Sequence, residues 1–268
     1  MKSFRQIALF LLAAAAVWCA APARAADPSA DEIVKRSLES FYYAGNDMRA
    51  RVSMKLINAQ GRVRERDMTL LRLNLGNSGD QRYYIYFHAP ADVKGTSFLV
   101  WKYPAKEDDR WIYVPALKLV KRIAADDKRS SFVGSDFTYE DVSGRDLEDE
   151  THALVRKEDL GGRPAYVVES KPRVPSDYSR RLSWIDRERW LPLKEEYFDA
   201  RNEPLRTFTA DKVEQIGALW AVTARSMRNL QSGHRTDVVF LETEYGVGLK
   251  QDIFTERYLR DAPAQWVR

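Results

Sequence analysis

The chain of 268 residues carries 43 Lys and Arg against 39 Asp and Glu, a formal net charge of +4, and a single cysteine. Three of those basic residues, Lys2, Arg5 and Arg24, and the only cysteine, Cys19, fall within the first 25 positions, leaving 40 basic against 39 acidic side chains over residues 26–268. That near-neutral balance argues against a nucleic-acid binder, which needs a strongly basic face. It also leaves residues 26–268 without a disulfide, a thiol nucleophile or a Cys-based metal site.

In chain order, the first segment reads as an address. Lys2 and Arg5 precede an apolar run from Ile7 to Ala21, and Ala23-Arg24-Ala25 supplies the small-x-small pattern of a secretory signal peptide cleaved after Ala25. The run is short for a transmembrane helix, and no later stretch is long and apolar enough to be one. The remainder, 26–268, is expected to form a single domain, since no Pro/Gly/Ser-rich linker, low-complexity tract or internal repeat divides it.

Ser29-Ala-Asp-Glu32 matches a helix capping box, and Ile33, Val34, Leu38, Phe41 and Tyr42 follow as an apolar stripe of helical period that ends at Gly45-Asn46. From Asp47 onward the chain reads as strands. Ala50, Val52, Met54 and Leu56 alternate with polar residues, and Asn58-Ala-Gln-Gly61 turns into a strand over 62–75. RYYIYFHAP (82–90) and SFLVWKYP (97–104) follow. Hairpins are then legible around Leu160-Gly161-Gly162, Glu188 and Gly217, with a last strand near 234–244. About eleven strands joined by short turns predict a mainly β (α+β) fold built on a large antiparallel sheet, which curls because free edges are a liability. GSDFTYEDVSG (134–144) is expected to be a loop or one helical turn, and 251–260 a short helix packing Ile253, Phe254 and Tyr258.

One stretch departs from ordinary alternation. In DDRWIYVPALKLVKRI (108–123), Trp111, Tyr113, Leu117 and Leu119 would share one face of an extended strand, and Ile112, Val114, Ala116 and Val120 the other. Neither face is built for water until Lys118, Lys121 and Arg122, so both need covering.

Signs of catalysis are sparse. His88, His152 and His234 share no metal-ligand spacing, and no phosphate-binding Gly loop or G-x-S-x-G elbow occurs. The best candidates are Asp136, Glu140 and Asp141, near Asp126 and Asp127. A carboxylate pair at the right separation hydrolyses glycosides, which leaves a secreted carbohydrate-active hydrolase as one reading. In the other reading Asp136 and Asp141 cap turns while Glu140 meets a Lys or Arg.

The order WIYVPALKLVKRI (111–123), SSFVGSDFTYEDV (130–142), LPLKEEYFD (191–199) and DIFTERYL (252–259) resembles the periplasmic outer-membrane lipoprotein-sorting proteins, in the LolA-like branch associated with RND (MMPL-like) exporters. The resemblance spans about residues 30–260. It implies an incomplete antiparallel β-barrel with lid helices over a hydrophobic cavity that shelters acyl chains, and no catalysis, metal or cofactor. The implied partners are a lipoprotein or lipid cargo, an inner-membrane exporter of RND/MMPL or ABC type and an outer-membrane acceptor, with transient membrane contact in a Gram-negative periplasm. Each sheltered CH₂ contributes about 0.8 kcal/mol, so a sixteen-carbon chain approaches about 12 kcal/mol. Such a carrier needs a wall of that capacity and a movable lid. Candidate lining residues are Tyr84, Tyr86, Phe98, Trp101, Trp111, Tyr113, Leu117 and Phe132, and Lys118, Lys121 and Arg122 are a candidate rim for a head group or partner. A cargo-free envelope assembly factor with a filled core is the remaining alternative.

Overall fold

The structure, a computed structural model, describes residues 27–76, 79–104 and 106–267; the expected signal peptide, 1–25, lies outside the described residues. Helix α1 (Ala30–Tyr42) opens the fold. Ser29 Oγ accepts from the Glu32 N–H at 3.2 Å, the first half of the expected capping box. The second half is not made: Glu32 turns outward to pair with Arg36 one helical turn on, at 2.6 Å.

Thirteen strands follow among the described residues. The first six are β1 (Asp47–Ile57), β2 (Val63–Leu75), β3 (Asp80–Ala89), β4 (Ser97–Lys102), β5 (Asp109–Val114) and β6 (Leu119–Ile123). The other seven are β7 (Glu150–Asp159), β8 (Pro164–Pro172), β9 (Arg180–Asp186), β10 (Pro192–Phe198), β11 (Pro204–Ile216), β12 (Leu219–Asn229) and β13 (Arg235–Tyr245). They form one sheet in the order β6-β5-β4-β3-β2-β1-β13-β12-β11-β10-β9-β8-β7. Every neighbouring pair is antiparallel, and the two runs of successive hairpins join where β1 pairs β13. β6 and β7 are free edges, so the barrel is incomplete, as expected. The count is thirteen rather than about eleven. One reason lies in the doubly apolar stretch: Pro115, which cannot donate to a ladder, starts a 3₁₀ turn (Pro115–Leu117), and Lys118 takes a left-handed φ of 49°. The chain folds back there, so 109–123 is a hairpin and not one strand.

The sheet curls tightly enough for residues of β1–β4 and β10–β13 to share one inner core. Met48, Val52, Leu70, Tyr83, Ile85, Phe87, Phe98, Tyr197, Phe208 and Met227 meet there. The connection from β6 to β7, residues 124–149, crosses this inner face. It carries Phe132, Phe137 and Val142 into the core and holds the short helix α2 (Tyr139–Ser143).

The outer face of β2–β5 is covered by the C-terminal segment from Gly246, with helices α3 (Glu256–Arg260) and α4 (Ala264–Val267). Leu249, Ile253, Phe254, Leu259 and Val267 close over Leu71, Tyr84, Leu99 and Trp111. The buried Asp47 carboxylate accepts from the N–H groups of Val247, Gly248 and Leu249 at 2.7, 2.9 and 2.9 Å. Further along, Trp101 Nε1 donates to Phe254 O (2.8 Å), Tyr84 Oη to Tyr258 O (2.7 Å) and Ser97 Oγ to Leu259 O (2.6 Å). Where both covers lie over the sheet its two faces are buried together, which is why Leu70–Leu71, Tyr83–Ile85 and Phe98–Val100 read as unbroken apolar runs.

Candidate functional site

The site lies beneath α1. Two narrow clefts, each with about 50 Å³ of free space, flank the C-terminal half of α1. Each has room for a few waters at most, so a larger ligand fits only if α1 moves. The first is walled by Val34, Leu38 and Phe41 of α1 against Phe208 and Met227, with a polar end at Arg145, Arg181 and Glu195. The second runs from Phe41 past Met48, Leu70, Tyr83 and Phe240. Phe41 separates them, and packs edge-on against Phe208 with ring centroids 6.0 Å apart.

Arg225 on β12 lines both clefts. Its guanidinium carbon lies 5.3 Å from the ring of Phe41, 5.5 Å from Phe137 and 5.2 Å from Phe240. Its Nε is enclosed without a hydrogen-bond partner, and among the described residues no carboxylate forms an ion pair with it. Burial pushes its pKa down from the ordinary arginine value, although Tyr42 and Asp141 act in the opposite direction.

The end of α1 is tied down by carbonyl contacts. Arg72 donates to Tyr42 O at 2.6 Å and also to Ala44 O. Gln81 Nε2 reaches Tyr42 O (2.9 Å), and Asn74 Nδ2 reaches Tyr43 O (2.9 Å) and Gly45 O (2.6 Å). Tyr42 Oη donates to Asp141 O in α2 (3.1 Å). The Tyr42 ring lies so close to Gly144 that a Cβ there would stand 3.1 Å away, and Gly144 has φ +88°. Only glycine fits at that crossing.

The sequence-predicted lining residues separate into three groups. Tyr84, Tyr86, Trp101, Trp111 and Tyr113 belong to the outer cluster under the C-terminal segment, with Trp101 and Trp111 edge-to-face at 5.0 Å. Phe98 and Phe132 meet in the inner core at 5.4 Å. Leu117, at the β5–β6 turn, is 69% exposed. The eight do not converge on one cavity. Strand alternation divides them, because Phe98 and Trp101 sit an odd number of residues apart and so point to opposite faces. Lys118, Lys121 and Arg122 stand together on the edge hairpin, with Arg122 paired to Asp109. Residues that sequence reasoning missed as site residues are Val34, Leu38, Phe41, Phe208, Met227 and Arg225. The helical stripe of α1 was the available signal for the first three; Arg225 has the alternation of Met227, two residues on.

The carboxylate group is taken up by the scaffold. Asp136 N–H donates to Thr236 Oγ1 (2.9 Å), and that hydroxyl donates to Asp136 Oδ2 (2.7 Å). Thr138 and Asp141 form a reciprocal capping box for α2. Asp141 also meets Arg145 at 2.5 Å and Arg206 at 3.7 Å. Burial opposes its ionisation, but those two guanidiniums hold the carboxyl well below the usual range. Glu140, 2% exposed, faces Arg145 (3.5 Å), Arg129 (3.6 Å) and Lys128 (4.0 Å), and burial raises its pKa. This is the capping and pairing arrangement that was the alternative to catalysis for these acids.

A family model described only as "-like: Uncharacterized protein" matches residues 79–261. Among curated proteins no relative matches. Among solved structures, a DUF1329 family protein from Desulfovibrio piger is 28% identical with a TM-score of 0.79, covering 86% of this chain and 97% of that one. A domain from Vibrio parahaemolyticus, provisionally named an outer-membrane lipoprotein-sorting protein domain, is 31% identical with a TM-score of 0.79, covering 86% and 98%. A LolA-superfamily protein from Nitrosomonas europaea is 19% identical with a TM-score of 0.67, covering 87% and 100%, and shares the fold. The curled, unclosed sheet is the fold shared with the LolA-superfamily protein, and the 31% identical relative, matched over nearly its whole length, shows that this chain belongs to the family of outer-membrane lipoprotein-sorting protein domains.

Proposed function

We propose that this protein is a periplasmic carrier that shelters the acyl portion of a lipoprotein or lipid beneath α1 and moves it, without covalent change, toward the outer membrane. The observation that carries the reading is the position of α1: an amphipathic helix over an apolar inner face, with a cleft on each side of Phe41. An acyl chain entering there lifts the apolar stripe of α1 and replaces it against the same wall, so release needs only the helix to return. Wall residues of differing shape, Met48, Met227, Phe208 and Leu38, tolerate chains of varied length.

In this reading residues 1–25 are the secretory signal and 26–268 a single LolA-like domain. An inner-membrane exporter, of RND/MMPL or ABC type, loads the carrier, and an outer-membrane acceptor unloads it. The β5–β6 tip, with Leu117 exposed beside Lys118 in the turn and Lys121 and Arg122 following on β6, is the surface proposed for transient contact with the membrane or partner.

Protein purified natively from the periplasm and opened in organic solvent is expected to release acyl lipid at close to stoichiometric amount, identified by mass spectrometry. Lys118→Glu/Lys121→Glu is expected to keep that lipid while slowing its delivery to outer-membrane vesicles. Protein that is lipid-free in every preparation and binds no acyl probe refutes the carrier reading and favours a cargo-free assembly factor.

A further inference from the structure

The charge on Arg225 is unexplained by the fold. Other enclosed arginines of the inner face are matched: Arg145 by Asp141, Arg181 by Glu150 and Glu195, and Arg206 by Asp177 and Asp141. Arg225 instead faces aromatic rings, at the seam shared by the two clefts. Its enclosed Nε donates to nothing, which is equally true of Arg145, Arg181 and Arg206, so what sets Arg225 apart is the missing carboxylate. The nearby acids, Asp141 and Glu195, are already engaged by Arg145 and Arg181. A guanidinium in such surroundings is costly to keep, and an apolar side chain of similar length would fill the same space without that cost. Three aromatic faces offset part of the penalty but satisfy none of its N–H donors.

Resting on the carrier reading above, we infer that Arg225 receives the polar end of the cargo, which is an acyl amphiphile bearing a carboxylate or phosphate. The planar fork of N–H donors suits both groups bidentately, and the half-buried Arg225 keeps its terminal nitrogens open to the cleft to receive them. The acyl chain extends from that anchor along the inner wall, in the space that opens when α1 lifts. Anion binding neutralises the cation only while cargo is present, which couples the charge of the site to its occupancy.

The test compares ligand pairs on protein purified from the periplasm and delipidated. Palmitate is set against methyl palmitate, and dipalmitoyl phosphatidic acid against dipalmitoylglycerol, each displacing one uncharged fluorescent acyl probe. Wild type is expected to prefer at least one anionic member about tenfold or more. Arg225→Gln is expected to reduce that preference to under about threefold, and Arg225→Lys to retain part of it. A preference confined to palmitate assigns the carboxylate; one confined to phosphatidic acid assigns the phosphate. Arg225→Met should raise Tm without ligand, which checks that the variants fold and that the cation is a burden on the free protein. Equal affinities within both pairs in wild type, or an undiminished preference in Arg225→Gln, overturn the inference while leaving the carrier reading intact. Failure of the uncharged probe itself to bind overturns the carrier reading and this inference with it.

Discussion

At the scale of single residues, Asp141 shows why an acidic cluster in this chain serves architecture. It holds the α2 capping box, pairs with Arg145 and, at longer range, Arg206, and so fixes the connection that fills the inner face. Its folded-state pKa lies below the ordinary value of 3.8, so its contribution is present above that value and is lost as pH falls through the lower folded one. Glu150, lowered against burial by Arg181 and Arg145, acts in the same direction. Glu140 acts oppositely: burial raises its pKa, so protonation on the acid side relieves the native state. Asp141→Asn is expected to cost about 3 kcal/mol at pH 7. Urea midpoints taken from pH 7 down to pH 3 should show the gap to wild type narrowing. A gap that is constant with pH would mean that the loss is not one of charge.

The capping reading of these acids was available from their spacing, Thr138 three residues before Asp141. Their cationic partners were not. Arg206 is 65 positions away in sequence and meets Asp141 only because the sheet curls.

At the scale of elements, α1 was legible almost to its ends. Ser29 and the stripe through Phe41 and Tyr42 require only local periodicity. Most strands were legible from alternation and turn residues. The β5–β6 hairpin was not, because Pro115 can stand in an edge strand as well as start a turn. Nor did sequence show which strand face each aromatic residue meets. Trp111 and Phe98 are equally apolar, and only the path of the C-terminal segment makes one an outer and the other an inner residue.

The hinge end of α1 yields its own prediction. Arg72, Asn74 and Gln81 bind the carbonyls of Tyr42, Tyr43, Ala44 and Gly45, anchoring that end while the apolar stripe holds the rest. Arg72→Ala removes the contacts to Tyr42 and Ala44. Amide exchange across residues 30–42 is expected to speed up on the order of tenfold, with β1–β3 much less affected. Equal acceleration across both regions would show that Arg72 supports the whole sheet and not the helix alone.

At the scale of the molecule, the fold solves one problem twice. A sheet of thirteen strands with both ends free exposes two faces. The outer face is closed over β2–β5 by a segment anchored through Asp47, Tyr84, Ser97 and Trp101. The inner face is closed by the β6–β7 connection and by α1. The two covers differ in a way that bears on function. Side-chain hydrogen bonds to backbone secure the outer one along much of its length. Such anchors gather at one end of α1, and the flanks of its C-terminal half are clefts. A cover held at one end over an apolar wall suits a lid, whereas one held along its length suits a permanent seal.

Photo-crosslinking with a diazirine-bearing palmitate, followed by peptide mapping, separates the two faces most directly. The account predicts adducts on the α1 peptide containing Val34, Leu38 and Phe41 and on the β12 peptide around Met227, with none on residues 246–267. Adducts concentrated on the C-terminal segment and on Trp101 and Trp111, with α1 unlabelled, would contradict it and move the acyl site to the outer face.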